Sequence, residues 1–341
     1  MSEVHTADAS AAFEAAIERE LAGVARRDLR GPAALLSDRY RATAGAGDRR
    51  GLAPQEAQAY LATRAPATFA ATRKVLGEIR SLRPDWAPRS VLDLGAGPGT
   101  ATWAAATVFP TIERAVLVER GAEMAALGAR LAAGSPVALL AGAAWTVDDV
   151  TDLTGFTDRT GFTDRTARAS DLVLAAYVLG EVGPERERSA LERWWAMTLG
   201  ELVLVEPGTP AGFERLRAAR IALVGWGAHV TAPCPHDERC PMTGRDWCHF
   251  AVRLSRSALH RDLKGAGLGY EDEKYAYLAV SANRVPVALS RVVRSPRRHK
   301  GHVRVWLCEA DGLNERVVSR RDGERYKLAR AAQWGDRLEP G

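Results

Sequence analysis

Arg89-Ser-Val-Leu-Asp-Leu-Gly-Ala-Gly-Pro-Gly-Thr100 decides how the rest of this 341-residue chain is read. Residues 91–94 are a short apolar run of strand character, and Gly95, Gly97 and Gly99 follow at alternate positions. Residues 100–108 then carry the alanine-rich pattern of a helix around Trp103. A strand, a glycine turn and a helix N-terminus make a place where a cofactor comes close to the main chain. Glycine has no Cβ to hold it off, and the first helical N–H groups are unpaired. The spacing sorts the possible cofactors: a dinucleotide fold uses G-x-G-x-x-G, whereas this loop reads D-x-G-x-G-x-G from Asp93. No Walker lysine follows, which excludes a nucleoside-triphosphate P-loop.

The loop resembles motif I of class I S-adenosylmethionine-dependent methyltransferases, and the downstream segments keep the order that this resemblance implies. Ala115-Val-Leu-Val-Glu119 is an apolar strand ending in a carboxylate placed to accept hydrogen bonds from two ribose hydroxyls. Residues 144–149 read as the third strand, with Asp148 or Asp149 near the adenine. Residues 171–177 read as the fourth, ending in Tyr177 on the face where substrate meets the methyl group, and residues 201–206 as the fifth. Helical stretches at 122–133, 185–197 and 213–223 separate them. The expected fold is α/β, a Rossmann-like doubly wound parallel sheet of the class I methyltransferase type. Its expected cofactor residues are Asp93, Gly95, Gly97, Gly99, Glu119, Asp148, Asp149 and Tyr177.

Fold alone does not name the chemistry. After the fourth strand stands Ala176-Tyr-Val-Leu-Gly-Glu181, not the Asn/Asp-Pro-Pro-aromatic tetrapeptide of base-amino methyltransferases. No cysteine lies in strands four and five to act as the nucleophile that methylation at pyrimidine carbon 5 requires. Tyr177, Glu181 and Glu206 are candidates to line a transfer pocket and equally candidates for strand-end packing, so no catalytic residue is assigned.

The four cysteines form one set: Cys234, Cys240 and Cys248 in a proline-rich stretch, then Cys308. Prolines 233, 235 and 241 deny the local backbone a helix and suit a rigid knuckle that aims thiolates at one point. Structural zinc sites favour C-x₂₋₄-C pairs, whereas these gaps are five, seven and fifty-nine residues; the loose spacing suits a larger cluster and leaves zinc open. His236 and His249 read as neighbours of the site, not ligands.

Net charge is +5 overall, but residues 284–330 hold thirteen basic and five acidic side chains. Arg291, Arg294, Arg297, Arg298 and Lys300 are the densest part, a phosphate-contacting surface expected to bind RNA.

Several segments together are similar to the Rsm-type methyltransferase-like family of the mitochondrial small ribosomal subunit, which has bacterial members. They are Arg64-Ala-Pro-Ala-Thr-Phe-Ala70, the glycine loop, residues 177–181, Glu206-Pro-Gly-Thr-Pro210, residues 234–250, residues 270–275, Lys300-Gly-His-Val303 and Trp334-Gly-Asp336. The resemblance implies a [4Fe–4S] cluster on Cys234, Cys240, Cys248 and Cys308, with zinc the lesser alternative, and binding to small-subunit ribosomal RNA. It leaves two readings: an RNA methyltransferase with a structural cluster, or an assembly or translation factor that uses the same fold to bind. DNA methylation is a weaker third, without a visible target-recognition domain.

The expected organisation is a helical region over 1–85, a methyltransferase-like domain over 86–283 that includes the cysteine knuckle at 231–250, and a basic β module with tail over 284–341. The cluster is expected to clamp that module to the domain. Residues 11–27 and 54–82 read as amphipathic helices. Residues 271–273 read as exposed turn charges before a strand at 275–280, and residues 326–334 as a basic tail. Thr-Gly-Phe-Thr-Asp-Arg occurs twice over 154–165, an insertion expected in a loop. The N-terminus lacks a basic region followed by an apolar core, and the apolar run at 172–179 is too short to span a bilayer. A cytoplasmic protein, off the membrane and monomeric away from the ribosome, is expected.

Overall fold

The computed structural model describes residues 2–42, 51–153, 169–244 and 246–338, so the duplicated segment at 154–165 lies outside the described residues. Four helices come first: α1 (Ser2–Leu21), α2 (Arg26–Ala42), α3 (Pro54–Thr63) and α4 (Ala65–Leu82). The stretch expected over 11–27 is divided where Gly23 adopts a φ of +83°. The stretch over 54–82 breaks at Arg64, because Pro66 has no N–H to continue the ladder.

The sheet region then alternates strand and helix: β1 (Ser90–Leu94), α5 (Thr100–Val108), β2 (Arg114–Val118), α6 (Ala122–Ala132), α7 (Ala138–Ala141) and β3 (Ala144–Thr146). After the undescribed segment come β4 (Ser170–Ala176), α8 (Leu179–Val182), α9 (Pro184–Ala196), β5 (Thr198–Pro207), α10 (Pro210–Gly225) and β6 (His229–Ala232). The last members are β7 (Phe250–Ser255), α11 (Ala258–Lys264) and β8 (Tyr270–Ser281). Strand order is β3-β2-β1-β4-β5-β8-β6, with β7 on the free part of β8. The first five strands pair in parallel, and β8 runs antiparallel to β5. This is the Rossmann-like class I methyltransferase arrangement that the glycine loop led us to expect. Chain order reverses between β1 and β4, and a crevice opens there at the carboxyl ends of the strands.

Both faces of the sheet are covered. On one, Trp103 of α5 is 1% exposed and meets Phe13 of α1 at 5.4 Å, which itself stacks on Phe69 of α4 at 4.8 Å. On the other, Trp194, Leu204 and Leu223 form a second buried cluster. Burying each such side chain contributes roughly 1.5–3 kcal/mol, which is what holds the N-terminal helices on the sheet. The third strand is three residues long, shorter than expected, and ends before Asp148.

Residues 271–273 correct the turn expected there. They lie inside β8, where Glu271 takes ion pairs from Arg256 at 2.9 Å and Lys264 at 3.0 Å. Their alternation marks one face of a strand paired with β7.

The remaining strands, β9 (Ser290–Val292), β10 (Arg297–Arg298), β11 (His302–Glu309) and β12 (Gly312–Ser319), form a separate four-stranded antiparallel sheet. The expected basic tail is largely helix α12 (Glu324–Ala331), which packs Tyr326 and Ala329 against that sheet. Among the described residues, no helix is long and apolar enough to cross a membrane.

Candidate functional site

At the carboxyl end of β1 the main chain takes φ values of +66°, +55° and +79° at Gly95, Gly97 and Gly99. A Cβ on Gly95 would stand 2.3 Å from Val178 Cγ2, so the loop is pressed against the segment after β4. A Cβ on Gly97 would meet nothing nearer than Met124 Cε at 3.5 Å, which leaves that wall of the crevice open. The cavity there has a volume of about 200 Å³.

Five of the expected cofactor residues line this cavity together: Gly95, Gly97, Glu119, Asp149 and Tyr177. Glu119, just past β2, accepts from Gly97 N at 2.9 Å and Gly121 N at 2.7 Å, and burial raises its carboxyl above the usual range. These two bonds fix its orientation and leave lone pairs free toward the cavity. Asp149 accepts from Thr151 N and Oγ1 at 2.8 and 2.7 Å.

Three expected residues stand back from the cavity. Gly99 is the N-cap of α5 and lies against Leu117 and Trp145. Asp148 turns one oxygen to Asp149 N, while its Oδ2 is buried without a hydrogen-bond partner. Asp93, 1% exposed, accepts from Thr102 N at 3.0 Å and Thr102 Oγ1 at 2.8 Å, and so ties β1 to the first turn of α5. It shapes the loop from below and has no face toward the cavity.

Burial pushes the Asp93 carboxyl up to about 7, against the pull of the Thr102 hydrogen bonds. The folded state then holds this proton more tightly than the unfolded chain does. Its contribution to stability is complete below about pH 4 and is lost as pH rises toward about 7. Urea unfolding of the native chain is therefore expected to show stability falling by on the order of a few kcal/mol across that window. The fall shrinks in Asp93→Asn, without vanishing, because burial also pushes Glu201 and Glu206 to about 7. An identical fall in both proteins contradicts the assignment.

At the far end of the crevice Tyr177 holds a φ of +62°, a strained value for a non-glycine residue, and its hydroxyl donates to Glu273 Oε1 at 3.1 Å. Glu206 is 1% exposed, accepts from Gly180 N at 3.3 Å and faces Arg215 at 3.4 Å. Tyr60 of α3 and Leu52 close this side. Sequence reading missed Tyr60, Arg215 and Glu273. Arg215 sits nine positions after Glu206 on the next helix, a findable signal, but nothing local announces Tyr60.

The four cysteines line a second cavity, of about 50 Å³. One water needs roughly 10–15 Å³, so there is room for more than one small atom. Cys234 and Cys240 belong to the loop after β6, Cys248 precedes β7, and Cys308 is buried on β11. All four are free thiols. Burial pushes the Cys308 thiol up to about 12 and the Cys248 thiol well above the usual range, and neighbouring cysteines add to both shifts. The thiols are thus mutually close, yet among the described residues no three His, Cys, Asp or Glu side chains are placed to hold a single metal ion. His236 Nε2 lies 3.7 Å from Cys308 Sγ, and His249 packs between Trp247 and Trp334.

Of the five expected RNA contacts, Arg291 is a correction. It is 3% exposed and donates to Pro233 O, Gly335 O and Glu78 Oε1, because its place opposite Cys308 in the β9–β11 register turns it inward. Arg294, Arg297, Arg298 and Lys300 are exposed. Arg294 is ion-paired with Asp246, Arg297 lies 5.1 Å from the Trp306 ring centroid, and Arg298 donates to the Arg330 and Ala332 carbonyls.

Comparison with known proteins places this geometry. The sequence profile of a family described as mitochondrial small ribosomal subunit Rsm22 matches residues 54–339. The human protein called ribosome assembly protein METTL17, mitochondrial, is 29% identical over 299 residues, covering 82% of this chain and 61% of its own length. The Rsm22-cox11 tandem protein 2, mitochondrial, of Schizosaccharomyces pombe is 25% identical, covering 82% of this chain and 42% of its own. The chain therefore spans about half the length of these relatives. Among solved structures, the magnesium protoporphyrin IX methyltransferase of Synechocystis PCC 6803 with bound S-adenosylmethionine overlays with a TM-score of 0.39 at 12% identity. That overlay covers 72% of this chain and 91% of the other, and the fold rests on the strand order instead.

Proposed function

This chain belongs to the mitochondrial small ribosomal subunit Rsm22 family, and on that premise we propose that it is a methyltransferase-like protein that binds S-adenosylmethionine and a small ribosomal subunit. The carrying observation is the crevice in which Gly95, Gly97 and Glu119 converge at the strand-order reversal. The residues fit an adenosine-bearing cofactor: Glu119 offers acceptors for ribose hydroxyls, and Gly97 leaves the main chain open to close approach. When bound, that cofactor would supply an activated methyl group.

The assembly-factor reading draws support from the transfer end. The Tyr177 hydroxyl and the Glu206 carboxylate are both engaged within the fold, by Glu273 and by Gly180 and Arg215. The human relative's name, ribosome assembly protein, points the same way. Incubating the protein with immature small subunits and S-adenosylmethionine labelled on its methyl group separates the two. Label in ribosomal RNA, absent with Gly97→Arg, makes the protein a methyltransferase; binding of both partners without transfer makes it an assembly factor.

We also propose that Cys234, Cys240, Cys248 and Cys308 hold a [4Fe–4S] cluster. Four cysteines line one cavity, and their gaps of five, seven and fifty-nine residues suit a cubane better than the close pairs of a zinc site. Its role is structural. Cys308 belongs to the basic β sheet and the other three to the knuckle at 231–250, so the cluster ties the module at 284–341 to the domain at 86–283, with the helical region at 1–85 packed on the sheet. Such a cluster suits the reducing cytoplasm.

RNA is assigned to the exposed face of the module, through Arg294, Arg297, Arg298 and Lys300. The double variant Arg297→Gln with Lys300→Gln is expected to weaken RNA binding at every sequence tested. It should also lower the slope of log affinity against log salt by about 2. An unchanged slope moves the RNA surface elsewhere.

A further inference from the structure

Arg220 of α10 is 4% exposed and lines the four-cysteine cavity. Its Nη2 donates to His236 O at 2.8 Å and Glu238 O at 2.6 Å, and its Nε is buried with no hydrogen-bond partner. A guanidinium does not lose its proton in a protein, so the fold maintains a permanent cation there, met by carbonyls and not by a carboxylate. Arg291 lines the same cavity from β9, but it carries its own counter-charge, Glu78 at 2.7 Å. Burying an uncompensated charge costs several kcal/mol, and neutral thiols do little to offset it. The cavity is built for an anion.

We propose that Arg220 is a positioning residue that balances the negative charge of a thiolate-ligated group in this cavity. Together with Arg291 it sets that group's reduction potential. This inference rests on the cluster reading given above. Four thiolates around an oxidised [4Fe–4S] core leave a net dianion, and one-electron reduction makes it a trianion. A buried cation stabilises the more negative form more strongly, so Arg220 raises the potential. Glu78 opposes the contribution of Arg291.

The test is a spectroelectrochemical titration of the full chain, purified without oxygen, with iron measured first on each sample. At a fixed applied potential, Arg220→Gln is expected to shift the ratio of reduced to oxidised group at least tenfold toward oxidised, which is 59 mV for one electron. Arg220→Lys recovers most of that shift, and Glu78→Gln moves the ratio toward reduced. Equal potentials in Arg220→Gln and the native chain overturn the proposal. So does an Arg220→Lys shift as large as that of Arg220→Gln, because lost packing alone would give it. Where Arg220→Gln does not fold, Glu78→Gln decides, and a ratio that stays put or moves toward oxidised overturns the proposal. Native protein without iron overturns the cluster reading itself, an outcome told apart because the iron assay precedes the titration.

Discussion

Cys308→Ser is expected to remove the iron chromophore from protein purified without oxygen, and to lower its thermal midpoint with it. Serine is nearly the size of cysteine, and Cys308 makes one side-chain polar contact, to His236 at 3.7 Å. In a cavity holding nothing, the exchange would cost only the roughly 1–3 kcal/mol of a buried hydroxyl, and there would be no iron chromophore to lose. In a cluster site it removes one of four ligands, and the binding free energy of such a group is folding free energy. Loss of about 3 kcal/mol, at 2–4 °C per kcal/mol, lowers the midpoint by on the order of 6–12 °C. Binding to small-subunit RNA should weaken in the same variant, because β11 carries Cys308 and pairs with the strand that bears Arg297, with Lys300 in the turn between them. A variant with native stability and native RNA affinity would show that the four thiols clamp nothing.

Gly97→Arg is the second large effect, and it is read on the cofactor. The new side chain has room at its root, since a Cβ there is 3.5 Å from Met124 Cε, so it extends into the crevice. The φ of +55° costs a non-glycine residue roughly 1–2 kcal/mol, a cost that the domain survives. Affinity for S-adenosylmethionine is expected to fall at least a hundredfold, about 2.7 kcal/mol, by calorimetric titration. Gly95→Val is the informative contrast. Its Cβ would lie 2.3 Å from Val178 Cγ2, so that variant should lose the fold along with the ligand. If Gly97→Arg binds the cofactor as the native chain does, the crevice at the glycine loop is not the site.

Much of this was legible because parallel strands buried on both faces write continuous apolar runs. Residues 91–94, 115–119 and 171–177 fall on strands within a residue of their bounds, and residues 201–206 lie inside a strand that begins three residues earlier. The cysteines were legible as one set, since prolines crowd three of them into one rigid stretch, and all four line one cavity. What escaped depends on register and tertiary closure. Arg291 reads as one more basic residue in a basic run, and its burial follows from standing opposite Cys308 in a pairing that composition does not reveal. Glu271 to Glu273 read as turn charges because three acidic or polar residues in a row suppress the strand signal, although pairing with β7 makes them half of a ladder. Asp93 belongs to the motif by its sequence, but its bonds to Thr102 make it a support for the loop and not part of the cavity wall. Tyr60 reaches the crevice from a helix thirty-five residues upstream of the loop, beyond any local pattern.

The most direct test of the central claim is co-sedimentation of oxygen-free protein with small ribosomal subunits in the presence of labelled S-adenosylmethionine. The account predicts that protein and label travel together with the subunit, and that Gly97→Arg carries the protein down without the label. Native protein that stays at the top of the gradient, or sediments with the subunit while the label stays behind, contradicts it.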